Sequence, residues 1–238
     1  MIKNEELKTS PKQRILAILV AVLMLGSTAA LYIGIVLGNQ NQEQAEQISS
    51  EKQARFEKLY SEYQDQVAAQ ANTLSDLYFN EFASYRGNVK AFNAAGVTAL
   101  KVQDLKVGEG REIASLDDID YAAYYIGWLS DETIFDSSFN DIENPTRLNA
   151  PLTGSTSMIQ GWIEGIARSE QDSALQWEGM RIGGVREITI PSTMAYGEIE
   201  RDKIPANSPL KFIVKLIDKP EQIEISDELA ELYSEIYE

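Results

Sequence analysis

The chain contains no Cys and no His, which narrows the chemistry open to it. Thiolate nucleophiles, disulfides, imidazole bases and the usual zinc ligand sets are all missing. What is left is carboxylate acid–base work, Ser or Lys nucleophiles, hard metals held by carboxylates, or catalysis by shape and hydrogen bonding with no proton transfer. The absence of Cys does not fix the redox compartment, since an extracytoplasmic protein can dispense with thiols. Lys and Arg total 21 against 37 Asp and Glu, a net charge of -16. That balance opposes attraction to phosphate backbones and anionic membrane surfaces, so no nucleic-acid partner is expected.

One series of residues then stands out by order and spacing. Tyr125-Ile126-Gly127 is followed by Phe135-Asp136-Ser137-Ser138, and then by Met158-Ile159-Gln160-Gly161-Trp162-Ile163-Glu164-Gly165. After these come Met180, Gly183, Ile190-Pro191, Ala195-Tyr196-Gly197, Ile204-Pro205 and Leu210-Lys211-Phe212. Taken one at a time, each has an ordinary reading: a Trp or Phe at strand or helix spacing is usually core, and Asp136 ahead of two Ser can organise a turn. Their joint order carries the weight.

In that order the blocks resemble the FKBP-type peptidyl-prolyl isomerase family, over residues 98–219. The resemblance implies an α+β fold in which a curved antiparallel sheet wraps around one short helix, with an apolar pocket between them. It implies Trp162 as the flat floor on which a proline ring sits, with Tyr125, Phe135 and Phe212 as walls. It makes Met158 and Ile159 the rim, where the Ile159 N–H holds a substrate carbonyl, and Tyr196 a flap hydroxyl that holds another. Asp136 matches a pocket carboxylate hydrogen-bonded to the Tyr125 hydroxyl, and Ile204 matches the apolar tip of the flap. The residues expected to act in catalysis are therefore Tyr125, Asp136 and Tyr196, and those expected to bind substrate are Phe135, Met158, Ile159, Trp162, Ile204 and Phe212.

Such a site needs no metal, cofactor, acid, base or nucleophile. Turning an X–Pro bond means twisting an amide against a barrier of about 18–20 kcal/mol, and amide resonance is weakest where the carbonyl leaves water for an apolar cavity. Two departures from the family pattern bear on rate and preference. Asn149 stands where an aromatic wall residue is common, and Phe139-Asn140-Asp141 stands where an Arg often follows, so Asp136 lacks its usual partner unless Arg147 reaches it. Residues 168–179, including Trp177, form an insertion that reads either as a surface loop or as a lip on the pocket.

The elements that must position these residues are legible from periodicity. Leu100 to Leu105 alternates as a strand, Gly108-Glu109-Gly110 reads as a turn, and residues 120–129, 185–190 and 210–217 are further strands. The last of these carries Leu210, Phe212, Val214 and Leu216 on one face. Residues 157–167 read as the single short helix, and strands around one helix without regular alternation argue α+β.

The flanks are of another kind. Residues 15–38, from Ile15 to Gly38, carry no charge and are long enough, at about 1.5 Å per residue, to cross a hydrocarbon core of about 30 Å. A cleaved signal peptide is the rival, with Thr28-Ala29-Ala30 as its cleavage site. The apolar run continues from Leu31 to Leu37, which favours an uncleaved anchor, and no Cys follows to make a lipoprotein. Lys3, Lys8, Lys12 and Arg14 precede the span and no base lies in residues 39–51, placing the N-terminus (residues 1–14) in the cytoplasm and everything after Gly38 outside. Residues 39–88 lack Pro and nearly all Gly. Phe56, Tyr60, Tyr63, Val67, Ala71, Leu74, Tyr78 and Phe82 recur at helical steps, a stripe that either pairs two copies of the chain as a homodimer or packs on its own domain. The isomerase-like domain is expected over residues 89–219. The acidic tail, residues 220–238, spaces Ile225, Leu229, Leu232 and Ile236 as an amphipathic helix or remains a solvated end.

Three functions follow as expectations. The first is prolyl isomerisation of extracytoplasmic, proline-containing polypeptides at the cell membrane. The second is a holdase that binds such segments with little turnover, and the third is an envelope scaffold whose working parts are stalk and tail.

Overall fold

The computed structural model describes residues 41–169 and 176–237. The expected cytoplasmic end, the membrane span at residues 15–38 and the middle of the 168–179 insertion lie outside the described residues. Among the described residues no helix is long and apolar enough to cross a membrane.

The described residues divide into two compact units, one of residues 41–67 with 222–237, the other within Ala68–Glu221. Both draw on α1 (Asn41–Ser84), a helix uninterrupted by Pro or Gly. In the first unit α1 meets α3 (Asp227–Tyr237). Phe56 and its neighbours Leu59, Tyr60 and Tyr63 pack with Ile225, Leu229 and Tyr233. Arg55 grips Glu228 through both carboxylate oxygens, at 2.6 and 2.9 Å, and Lys52 meets Glu235 at 2.7 Å. The acidic tail is thus ordered as a helix for local reasons. Ser226 Oγ accepts the Leu229 N–H at 3.2 Å, and Asp227 and Glu228 sit in the first turn, where the helix dipole favours anions. The apolar stripe from Phe56 to Tyr63 is covered by this helix of the same chain.

The second unit is built on a six-stranded antiparallel sheet. Its strands are β1 (Lys101–Lys106), β2 (Ala122–Trp128), β3 (Ile134–Ser137), β4 (Leu152–Thr153), β5 (Val185–Ile190) and β6 (Leu210–Ile217), in the order β1-β5-β6-β2-β3 with β4 paired to β2. One short helix, α2 (Gln160–Ile166), lies against β5. It starts later than residue 157 because Ser155 Oγ takes the Ser157 N–H at 3.1 Å, committing that stretch to a turn.

Alternation along β6 sorts its side chains into two cores. Leu210, Phe212, Val214 and Leu216 join the cluster containing Trp162, whereas Ile213 and Ile217 face a second cluster with Tyr124, Ile126 and Trp128. Both faces are covered, so β2 reads as a continuous apolar run.

The cover of the second face comes from α1: Phe82 is fully buried there, with Leu74, Tyr78, Phe79 and Ala83 beside it. Polar pins fix the helix. Glu81 takes Lys215 Nζ at 2.8 Å and Lys106 Nζ at 2.6 Å, and Ser75 Oγ accepts the Leu148 N–H at 2.8 Å. The packing of the sheet therefore reaches back past residue 89, because Phe82 and its neighbours on α1 cover one of its faces.

Candidate active site

The site is assembled where α2 crosses the sheet, and two glycines set how closely it can lie. A Cβ on Gly161 would stand 2.3 Å from Ile190 Cγ2, and one on Gly165 would stand 2.6 Å from Ile188 Cγ2. Without side chains there, α2 seats directly on β5 and turns Trp162 toward β2 and β6. Gly127 serves the sheet in the same way: a Cβ there would meet Phe135 Cζ at 2.6 Å and Phe212 Cε1 at 2.7 Å, so both rings lie on its backbone.

The resulting aromatic cluster is mostly edge-to-face. Trp162 stands perpendicular to Tyr125, with centroids 5.6 Å apart at 89°, and to Phe212, at 5.3 Å and 88°. Phe135 meets Phe212 at 5.5 Å and 84°. These are the separations and angles that ring quadrupoles favour. Trp162 is 2% exposed and Phe212 5%, while Tyr125, Phe135, Met158, Ile159 and Tyr196 are half-buried around them. The structure thus brings the wall, floor and rim residues together.

The polar groups are fewer. Tyr125 Oη donates to Asp136 Oδ2 at 2.6 Å, and Asp136 Oδ1 accepts the Ser137 N–H at 2.8 Å. Burial pushes the Tyr125 hydroxyl well above the ordinary phenol value, and the Asp136 hydrogen bond and charge push it further, so it remains a protonated donor. Ile159 caps α2 through its carbonyl, which accepts from Trp162 N at 3.0 Å and from Ile163 N at 3.3 Å. Its own N–H meets no acceptor among the described residues. The Tyr196 ring lies under the Arg201 guanidinium at 5.5 Å.

Four more of the singled-out residues find definite places. Ile204, matched to the apolar tip of the flap, is 6% exposed and lies in the core cluster that contains Trp162, where the segment folds back on itself. Arg201 N donates to Ile204 O at 2.9 Å, and Asn207 N to Gly197 O at 2.6 Å, with left-handed turns at Gly197 (φ 58) and Asn207 (φ 61). Arg147 does not replace the absent partner of Asp136, since its guanidinium turns to Asn72 Oδ1 at 3.3 Å. Asn149 is exposed and donates to Phe139 O at 3.2 Å, which leaves its side of the cluster without a ring. Trp177, at the C-terminal end of the insertion, is half-buried against the core cluster, and its indole N–H bridges the carbonyls of Glu164 and Ala167 at 3.2 and 3.0 Å. It ties down the end of α2.

Other positioning residues left no mark in the sequence. Arg186, fully buried, donates to Gly165 O at 2.9 Å and Glu178 O at 2.8 Å, and forks onto Asp104 at 2.6 and 3.1 Å. An Arg in a strand reads as solvent-facing, and only the tertiary fold shows it satisfying the last carbonyls of α2. Ser138 Oγ accepts the Tyr125 N–H at 2.9 Å and fixes that strand position. Tyr121 lies in the same cluster as Trp162; burial pushes its hydroxyl up, and the Trp162 indole partly offsets this. Among the described residues no group of three or more carboxylates is placed to hold a metal ion.

The fold is thus an antiparallel sheet packed on one short helix, with an aromatic cluster between them and the Tyr125–Asp136 hydrogen bond beside it. The family model for "FKBP-type peptidyl-prolyl cis-trans isomerase" matches residues 109–217. A FK506-binding protein from Neisseria meningitidis serogroup A is 35% identical over 120 residues, 50% of this chain and 94% of that protein. FK506-binding protein 4 from Chaetomium thermophilum is 34% identical over 125 residues, 51% of this chain. The chain spans only 22% of the length of that fungal relative. The crystal structure of AtFKBP13 is 31% identical, covering 51% of this chain and 93% of that one at a TM-score of 0.39. The chain belongs to the FKBP-type peptidyl-prolyl cis-trans isomerase family, and its sheet-and-helix domain is of that enzyme class.

Proposed function

We propose that the protein catalyses cis–trans isomerisation of X–Pro bonds in extracytoplasmic polypeptides, by non-covalent means, on the aromatic cluster around Trp162. The observation that carries this is the uncommitted Ile159 N–H beside that cluster. A prolyl ring laid against Trp162, Tyr125, Phe135 and Phe212 would bring the carbonyl of the preceding residue out of water. Loss of that hydration weakens the C–N double-bond character that makes the barrier about 18–20 kcal/mol. The Ile159 N–H and the Tyr196 hydroxyl would hold the flanking carbonyls while the bond turns. A fixed donor in a dry site holds its partner more strongly than water does. Asp136 would orient the Tyr125 hydroxyl, and Met158 and Ile204 would complete the apolar surround.

The uncharged run at residues 15–38, with Lys3, Lys8, Lys12 and Arg14 before it, supports an anchor that holds this domain on the outer side of the cell membrane. Protease added outside intact cells digests the domain on this reading, and protection would contradict it. The catalytic reading is tested by isomerisation of a proline tetrapeptide. A second reading, a holdase with slow turnover, is favoured by the missing ring at Asn149 and by the lack of an Arg on Asp136 among the described residues, and would give peptide binding with no gain over the uncatalysed rate.

A further inference from the structure

Beside α2 lies a groove of about 500 Å³ between the loop carrying Leu116 and Asp117 and residues Gln160, Ile163 and Glu164 of the helix. Its apolar lining is Leu116, Met158 and Ile163; Leu116 is 40% exposed and the other two are half-buried. Its polar lining includes two carboxylates, Asp117 and Glu164. Asp117 accepts from Ser115 Oγ at 2.6 Å, which holds its carboxyl below the usual range and keeps it anionic. Glu164 accepts from Gln160 Nε2 at 2.6 Å. The adjacent Asp118 is matched by Arg111 at 2.5 Å, whereas Asp117 and Glu164 have no cation within 4.0 Å among the described residues.

We infer that this groove is a second substrate subsite, which takes a basic side chain flanking the proline and so biases the enzyme toward Lys- or Arg-containing segments. The inference rests on the proposed seating of proline against Trp162. Continuity carries it: Met158 lines the groove and also packs on the core cluster to which Trp162 belongs, which gives a chain seated at Trp162 a route to the groove. An apolar floor with two unmatched carboxylates fits a Lys or Arg, whose methylenes lie on apolar surface while the charged head reaches anions or water.

The test is binding of labelled proline hexapeptides to the purified full chain, read by fluorescence anisotropy. The residue two positions from the proline is set to Lys, Gln or Glu on each side in turn. On one side the Lys peptide is expected to bind roughly threefold to tenfold tighter than the Glu peptide, by an amount that shrinks with salt. In the double variant Asp117→Asn with Glu164→Gln, that ratio falls to about one while the Gln peptide binds as before. A ratio near one in the unaltered chain overturns the subsite. So does a ratio that survives the double variant, since it would reflect only the overall negative charge. Charge-dependent binding without any isomerisation keeps the subsite and removes the catalytic reading, so the two fail separately.

Discussion

The Tyr125 hydroxyl donates to the Asp136 carboxylate across 2.6 Å, and this is the hydrogen bond that ties a wall of the aromatic cluster to the strand opposite. Because Arg147 is engaged with Asn72, no arginine shares that carboxylate among the described residues. Tyr125→Phe is expected to leave the fold intact and to lower kcat/KM by roughly tenfold, in line with a hydrogen bond to a charged group. Proline-tetrapeptide kinetics with a parallel thermal melt check this. An unchanged rate would assign the bond to strand registry alone.

Trp162 touches both Tyr125 and Phe212 edge-on and is nearly inaccessible, so it carries core packing as well as the proposed floor. Trp162→Ala is expected to cost about 3–5 kcal/mol of stability. Trp162→Leu keeps most of the apolar volume and is expected to fold, yet to lose peptide affinity. A denaturant melt and a binding isotherm on both variants separate the two contributions.

Glu81 is the acid that clamps α1 onto the sheet through Lys215 and Lys106. Burial pushes its carboxyl up, but hydrogen bonds from the two lysines more than offset this and hold it below the usual range. A folded value below the unfolded one gives stability that is present at neutral pH and lost as pH falls through the folded value. Thermal stability is therefore expected to drop on acidification below about pH 4.3, the ordinary value for Glu. Glu81→Gln is expected to cost about 2–3 kcal/mol at pH 7, because Lys215 stays buried without its partner. That lies below the usual loss for a broken buried pair, since Glu81 is partly exposed. In that variant the acid-side drop should flatten.

Residues 74–83 of α1 cover the second face of the sheet, with Phe82 fully buried. A protein beginning at residue 89 would expose Tyr124, Ile126, Val185 and Ile213 and is expected to aggregate or to melt at much lower temperature than one beginning at Ala68. Circular dichroism melts and size-exclusion profiles of the two truncations decide this. Equal behaviour would mean that the helix is dispensable.

Much of the strand pattern and the cluster around Trp162 could be read from the sequence, because β6 alternates cleanly and because the ordered motif blocks from Tyr125 to Phe212 carry the family resemblance. The residues that hold α2 in place were not legible. Arg186 reads as surface in a strand, and Trp177 as part of an insertion, until the fold shows both satisfying the final carbonyls of one short helix. Ile204 was read as the apolar tip of the flap, but local pattern does not reveal that Arg201 and Ile204 pair and fold the segment inward. The helical period of residues 56–82 was plain, but its two uses were not. Tyr60 and Tyr63 pack with α3, while Tyr78 and Phe82 pack on the sheet, and periodicity alone does not name a partner.

The proposed activity is tested most directly by the rate at which a proline tetrapeptide relaxes from cis to trans with and without the protein. An acceleration that scales with protein concentration and is lost in Trp162→Leu is expected. A relaxation rate equal to the uncatalysed one, for a folded chain that still binds the peptide, would contradict it.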